Sequence, residues 1–245
     1  MNGMSDVFNR YEKKYKLTKK QYLRVIDELQ IMMINEATME SLQPNRYTVK
    51  NIYYDTDDYQ LIKHSLSKPY YKEKLRLRGY DAIDSDSLVY LELKKKCAGF
   101  VNKRRTSISL SDAQAFIRTG IAPQHQAYHN KQVMKEIEYF LTRYQVKPKA
   151  LIKYDRIAYE SDGLRITFDT NLTGTHNTLR LDTKPTDAQP IEESIHLMEV
   201  KCSGAMPLWL SRLFSKAKLS PTGFSKYGTY FLQSSSIKRT TKGVA

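Results

Sequence analysis

Cysteine is nearly missing from these 245 residues: Cys97 and Cys202 are the only two. Two cysteines cannot build a disulfide framework, and no four-ligand Cys/His spacing for zinc exists. No apolar run reaches membrane-spanning length, and the opening stretch MNGMSDVFNR lacks the apolar core of a signal peptide. There is no G-x-G-x-x-G and no Walker loop, which argues against a Rossmann or P-loop nucleotide site. The five histidines (64, 125, 129, 176 and 196) form no triad and no metal cluster. Acidic residues are also scarce, 26 Asp+Glu against 40 Lys+Arg, for a formal net charge of +14. Yet 40% of the residues are hydrophobic and 18 are Tyr, too much apolar material for a disordered polycation. The expectation is a soluble, reduced, cytoplasmic protein with a folded body and an anionic partner. Charge alone does not choose among DNA, RNA, an acidic membrane surface and nucleotides.

No repeat, Pro-rich linker or low-complexity block divides the chain, so a single domain over 1–233 is expected, followed by a disordered basic tail at 234–245. Strands are expected at Phe8–Leu17, Tyr47–Tyr54, Tyr71–Tyr80, Ser87–Cys97, Gly99–Leu110, Lys147–Glu160, Leu164–Thr173 and Ile195–Cys202. Helices are expected from Thr18 (as N-cap) to Asn35, in the segment after Asp55, from a cap at Ser111 through Arg118, over Lys131–Tyr144, from Pro207 to about Lys218, and around Phe224–Leu232. On the first, Tyr22, Val25, Ile26, Leu29, Met32 and Met33 recur at helical spacing and form a core face. Many antiparallel-type strands with helices between them make an α+β fold.

Side chains two apart on a strand point the same way. Arg10, Glu12 and Lys14 therefore share a face, as do Lys74, Arg76 and Arg78, with Leu75 and Leu77 opposite. Glu92, Lys94 and Lys96 align opposite Leu91 and Leu93; Lys103 aligns with Arg105. Arg165, Thr167 and Asp169 align opposite Ile166 and Phe168, and Glu199 with Lys201 opposite Met198 and Val200. One such strand is an ordinary sheet with a solvated face; six with mostly Lys and Arg are not. Arg76 and Arg78 sit about 7 Å apart, a repulsion of roughly 0.6 kcal/mol in water and about 2.4 at an effective dielectric of about 20. Repeated over several strands, that favours a polyanion on this face. Curling the sheet with its apolar side under the helices gives a closed antiparallel barrel with a basic channel, suited to a strand-like anion rather than a duplex.

Glu12, Glu92 and Glu199 lie among these cations. A phosphate binder gains nothing from carboxylates, whereas a divalent cation needs one or two, with substrate phosphates completing its shell. Pairing with the Lys two residues on is the simpler role for Glu92; Glu199 is the favoured metal ligand, with Glu12 beside it.

R-x-E-x-K-Y near the N-terminus, IYYDT, KLRLR, LELK, KRR, YDRIAYE, LRITFDTNL, LMEVK and FSKY, in this order from Arg10 to Leu232, resemble the VTC domain. This is the polyphosphate polymerase domain of the vacuolar transporter chaperone complex and its bacterial stand-alone relatives, in the triphosphate tunnel superfamily. The resemblance implies a tunnel-like barrel in which Lys14, Arg76, Arg78, Lys94, Lys103, Arg156, Arg165, Lys201 and Lys226 hold phosphates and Ser225 adds a hydroxyl. Lys74 and Arg105, on the same faces, join the phosphate set. Glu199 would coordinate Mn²⁺ or Mg²⁺, and the γ-phosphoryl of ATP would pass to a polyphosphate end. Tunnel triphosphatases carry E-x-E-x-K on the first strand; here Arg10 replaces the first carboxylate, which removes a metal ligand and favours polymerase over hydrolase. The stretch carries neither the helical inositol-phosphate sensor domain nor the membrane helices of the eukaryotic complex, so regulation and translocation are expected from other chains.

Two rivals stand beside the ATP-dependent polyphosphate polymerase: a metal-dependent triphosphatase on the same fold, and a non-catalytic polyphosphate or nucleic-acid binding module. Nucleic-acid binders pair cations with exposed aromatics, but Tyr53, Tyr54, Tyr154 and Tyr159 fall inside strand patterns and read as structural. Specific nucleic-acid binding is therefore not expected. Cys97 and Cys202 read as strand-end core thiols and Trp209 as a packing residue; the helix carrying it, with Arg212, Lys216 and Lys218, leaves room for peripheral association with a membrane partner.

Overall fold

The computed structural model describes residues 11–35, 44–161 and 163–242. Its elements, in chain order, are β1 (Tyr11–Leu17), α1 (Lys19–Asn35), β2 (Asn45–Asp55), α2 (Gln60–Leu66), β3 (Tyr71–Tyr80), β4 (Leu88–Cys97), β5 (Phe100–Ser109), α3 (Leu110–Thr119), α4 (Lys131–Arg143), β6 (Lys147–Ser161), β7 (Leu164–Thr175), β8 (Gln189–Pro190), β9 (His196–Cys202), α5 (Leu208–Lys216) and α6 (Lys226–Lys242). Phe8 to Arg10, the expected start of the first strand, lie outside the described residues.

The chain divides into two compact units. The first comprises Met1–Tyr47, Tyr154–Leu172 and Glu192–Phe224. Here β1 pairs with β9 and β9 with β7, all antiparallel, followed by the second half of β6. Alternation sets the two faces: Tyr15, Leu17, Ile166, Phe168, Met198 and Val200 are buried and pack with Val25 and Leu29 of α1 and Leu210, Leu213 and Phe214 of α5. Helix α1 starts at a capping box, in which Thr18 Oγ1 accepts from the Gln21 N–H (3.2 Å) and Gln21 Oε1 accepts from the Thr18 N–H (3.0 Å). Trp209 packs against this core, as its helix pattern predicts.

The second unit comprises Thr48–Lys153, Thr173–Ile191 and Ser225–Ala245. The first half of β6 leads through β2 and β3 to β4 and β5, and the two-residue β8 pairs with the end of β7. Leu75, Leu77, Leu91 and Leu93 are fully buried against Phe116 of α3 and Val133, Ile137 and Phe140 of α4. Asp55, itself buried, accepts from the N–H groups of Leu61 (2.9 Å) and Ile62 (3.0 Å) and thereby fixes the start of α2.

Four expectations change. The cap of α3 is Ser109, whose hydroxyl accepts from the Asp112 N–H at 3.1 Å; Leu110 already opens the helix, so Ser111 is inside it. Helix α6 runs to Lys242 instead of ending near Leu232, so residues read as a mobile tail are helical; SSSIKRTTK holds neither Gly nor Pro to stop it. Cys97 is exposed, since β4 ends there beside a tight turn, while Cys202 is buried. Finally, the sheet is antiparallel but its hydrogen-bonded path, among the described residues, begins at β1 and ends at β5. The α+β class holds; closure into a barrel is not part of the observed ladder. Among the described residues no helix is long and apolar enough to cross a membrane.

Candidate active site

In the second unit the register assembles the charged face. Tyr53 stands opposite Arg76, Arg76 opposite Glu92, and Glu92 opposite Arg105; one step along, Lys74 faces Lys94 and Lys94 faces Lys103. Five predicted phosphate ligands thus share one face with one carboxylate, and Arg78 approaches it as a sixth. Glu92 is 1% exposed and binds Arg76 Nε and Lys103 Nζ (2.8 Å), with Arg78 Nη1 at 3.9 Å. Its partners therefore come from neighbouring strands, not from the Lys two residues on. Burial pushes its pKa up, but Arg76, Arg78 and Lys103 overcome this and hold it at about 2. Lys103 is drawn down to about 8, first by burial and then by Arg76 and Arg78 against the pull of Glu92. It keeps its proton at neutral pH.

Because the folded pKa of Glu92 lies below its ordinary 4.5, its stabilising effect is present above pH 4.5 and lost as pH falls toward 2. The difference is worth about 3 kcal/mol at neutral pH. Urea melts of Glu92→Gln should therefore fall below wild type by about that amount at pH 7, and the gap should close between pH 4.5 and 2. A gap of constant size across that range would contradict the ion-pair account.

Two further residues, neither among the expected phosphate ligands, belong to this face. The Tyr53 hydroxyl accepts from Arg76 Nη1 (3.3 Å), and Asn51 Oδ1 accepts from Arg78 Nε (2.9 Å). Tyr53 is buried, which alone would raise its pKa, yet Arg76, Arg78 and Lys226 bring it below the usual phenol value. That lowered phenol reports the positive field at the site. Reading the N-I-Y-Y-D run for its 51/53/55 face would have found both. Ser225 and Lys226 arrive on α6: Lys74 Nζ donates to Ser225 Oγ (3.3 Å), which also accepts from the Gly228 N–H (3.2 Å) as helix cap. Tyr227 stacks on Tyr53 at 4.8 Å and donates to Asp55 (3.1 Å), which holds the start of α6 in place.

The first unit carries the other predicted residues. Lys14 lies opposite Glu199, Glu12 opposite Lys201, and on the far side Lys201 faces Arg165 and Glu199 faces Thr167. Lys14 Nζ sits 3.8 Å from both Glu12 Oε1 and Glu199 Oε2, and Lys201 Nζ is 2.8 Å from Glu199 Oε1. One cationic nitrogen already bridges the two carboxylates. Thr167 Oγ1, buried on the same face, has no hydrogen-bond partner among the described residues. Two carboxylates and a hydroxyl are hard oxygen donors and fit a divalent cation that retains water and takes phosphate oxygens. Among the described residues no group of three or more His, Cys, Asp or Glu could hold a metal, so most of its shell would come from substrate and water. Arg10, the departure from E-x-E-x-K, lies outside the described residues.

Arg156 and Arg165 are less open than their motifs suggest. Arg156 forms a two-pronged pair with Asp169 (2.6 and 2.8 Å), and Asp169 is 1% exposed. Burial opposes the Arg156 charge, but Asp169, Tyr154 and Glu199 raise its pKa above the ordinary value. Arg165 donates to Glu160 (2.8 Å) and to the Tyr47 hydroxyl (3.3 Å).

Residues 9–233 match the profile of the VTC domain, and the chain belongs to that family. No curated protein matches the sequence. Solved structures show the fold. A candidate adenylyl cyclase from Hippeastrum, described as having a dominant triphosphatase activity, superposes with a TM-score of 0.56 at 15% identity, covering 91% of this chain and 95% of its own. A candidate adenylate cyclase from Bacillus halodurans gives 0.52 at 15% identity, covering 87% and 92%. The superpositions show that this chain shares its fold with both of these proteins.

Proposed function

We propose that this chain is an ATP-dependent polyphosphate polymerase. A terminal phosphate oxygen of the chain attacks the γ-phosphorus of ATP, the bond to the bridging oxygen breaks, and ADP leaves with the electron pair. The observation that supports this most is the second unit's face, where Lys74, Arg76, Arg78, Lys94, Lys103 and Arg105 lie with the carboxylate of Glu92 among the described residues. Six cations gathered on one face match the charge of a polyanion.

Phosphoryl transfer asks mainly for positioning and charge stabilisation. Arg76 and Arg78 supply planar donors for phosphate oxygens; Lys94, Lys103 and Arg105 supply charge along the chain. Glu92, held ionised, orients Arg76 and Lys103 without facing the substrate itself. Ser225 and Lys226 present a hydroxyl and an ammonium at the start of α6, where helix N–H groups favour anions. In the first unit Lys14, Lys201 and Arg165 bind phosphate, and Arg156, braced by Asp169, adds a fixed positive centre. Glu199, with Glu12, would hold Mn²⁺ or Mg²⁺, which supplies charge neutralisation on the transferring group. An ionised terminal phosphate needs no general base, in keeping with a site without histidine.

Hydrolysis of triphosphate is the second reading, favoured by the triphosphatase activity of the Hippeastrum structure. The two separate in one assay. Incubation with ATP and Mn²⁺ should produce chains that a polyphosphate-binding dye detects; orthophosphate without chain product would make the protein a triphosphatase.

A further inference from the structure

The hairpin joining β4 and β5 combines charge and exposed apolar surface in a way that phosphate binding does not use. Residues 94–105, KKKCAGFVNKRR, hold six Lys/Arg and no acid. The turn is tight: Cys97 pairs with Phe100, and both central residues take positive φ (Ala98 50°, Gly99 88°), the geometry of a two-residue type I′ turn. This rigid tip leaves Phe100 82% and Val101 54% exposed. The Ala98 N–H donates to the Tyr70 carbonyl (2.9 Å), which brings a second exposed aromatic, Tyr70 at 75%, to the same end.

Lys96 stands opposite Val101 across the hairpin. Lys72 lies opposite Lys96, and its pKa is lowered by burial and then by Lys96 and Lys68, so its ammonium group feels both of the others. Nearby acids are committed elsewhere: Glu73 is buried and accepts from Tyr71 (2.6 Å), while Glu136 pairs with Lys95 (3.4 Å) and Arg104 (3.5 Å). A phosphate chain would use the lysines but gains nothing from Phe100, Val101 or Tyr70. A protein partner would call for a complementary recess for one protruding turn. A fluid anionic surface satisfies both parts, with headgroups meeting the lysines and the aromatic and aliphatic tips entering the interface.

We infer that the β4–β5 hairpin tip, with Phe100, Val101 and Tyr70 flanked by Lys68, Lys72 and Lys96, is a peripheral docking surface for an anionic lipid bilayer. This inference does not rest on the polymerase reading and can fail or hold without it. The test is co-sedimentation of the full chain with vesicles of phosphatidylcholine alone and with vesicles containing about a third phosphatidylglycerol. Binding is expected only to the second. Phe100→Ser with Val101→Ser should lower the partition coefficient by about tenfold or more, and Lys72→Gln or Lys96→Gln by about fivefold each. Circular dichroism checks that each variant folds. Independently, Phe100→Trp should add blue-shifted emission on the anionic vesicles, relative to the parent with its single Trp209. Three results would each overturn the inference: no sedimentation with anionic vesicles, sedimentation that the Phe100/Val101 change leaves intact (the general pull of a +14 chain), or loss of a self-associated form in that variant in place of lipid binding.

Discussion

Glu199→Ala should stop polyphosphate synthesis, lowering the rate by on the order of 10²–10³-fold, while the folded protein persists. The carboxylate lies between Lys14 and Lys201, so its removal leaves two lysines that are 26% and 44% exposed and can turn to water. Stability should therefore change little. The activity loss has a different source: without Glu199 the pair of oxygen donors shared with Glu12 is broken, and a divalent cation loses its better-buried ligand, 14% exposed against 42%. Titration of Mn²⁺ separates the two effects, because a positioning or folding defect would leave the metal dependence of the residual activity unchanged. Full activity in the variant would show that Glu199 serves only its lysines.

The second large effect is expected at Arg76. Arg76→Ala should reduce kcat/KM by about 10²–10³-fold, and Arg76→Lys should recover little of it, because a point charge cannot replace a planar donor that reaches Glu92 and Tyr53 together. Glu92 retains Lys103 at 2.8 Å and Arg78 at 3.9 Å in either variant, so its buried charge is not abandoned and the protein should still fold. A thermal melt read beside the kinetics decides the matter. An unfolded Arg76→Ala chain would make this arginine a structural member of the ion pair and not a phosphate ligand.

Much of this was legible in the chain because a strand's period of two is local. KLRLR and LELKKK announce a charged face opposite leucines, and the structure buries those leucines completely. Which strands lie side by side, and in what register, is not local. Glu92 could be read as charged and inward, but its partners Arg76 and Lys103 are fixed by ladders spanning neighbouring strands. The same applies to Asp169, which looks like one more acid on a strand until β6 brings Arg156 to it. Tyr53 is buried in its strand as the pattern predicts, and only Arg76 beside its hydroxyl shows a second role. At helix ends, Ser109 and Ser111 carry the same chemistry, and the ladder ending at Ser109 decides which one caps.

A polymerase must let a phosphate chain grow on the protein. A ³¹P NMR time course of the protein with ATP and Mg²⁺ reads this directly. Resonances of internal phosphates of a long chain should grow as the γ-phosphate signal of ATP gives way to ADP. Conversion of that signal into orthophosphate alone, or an unchanged ATP spectrum, would contradict it.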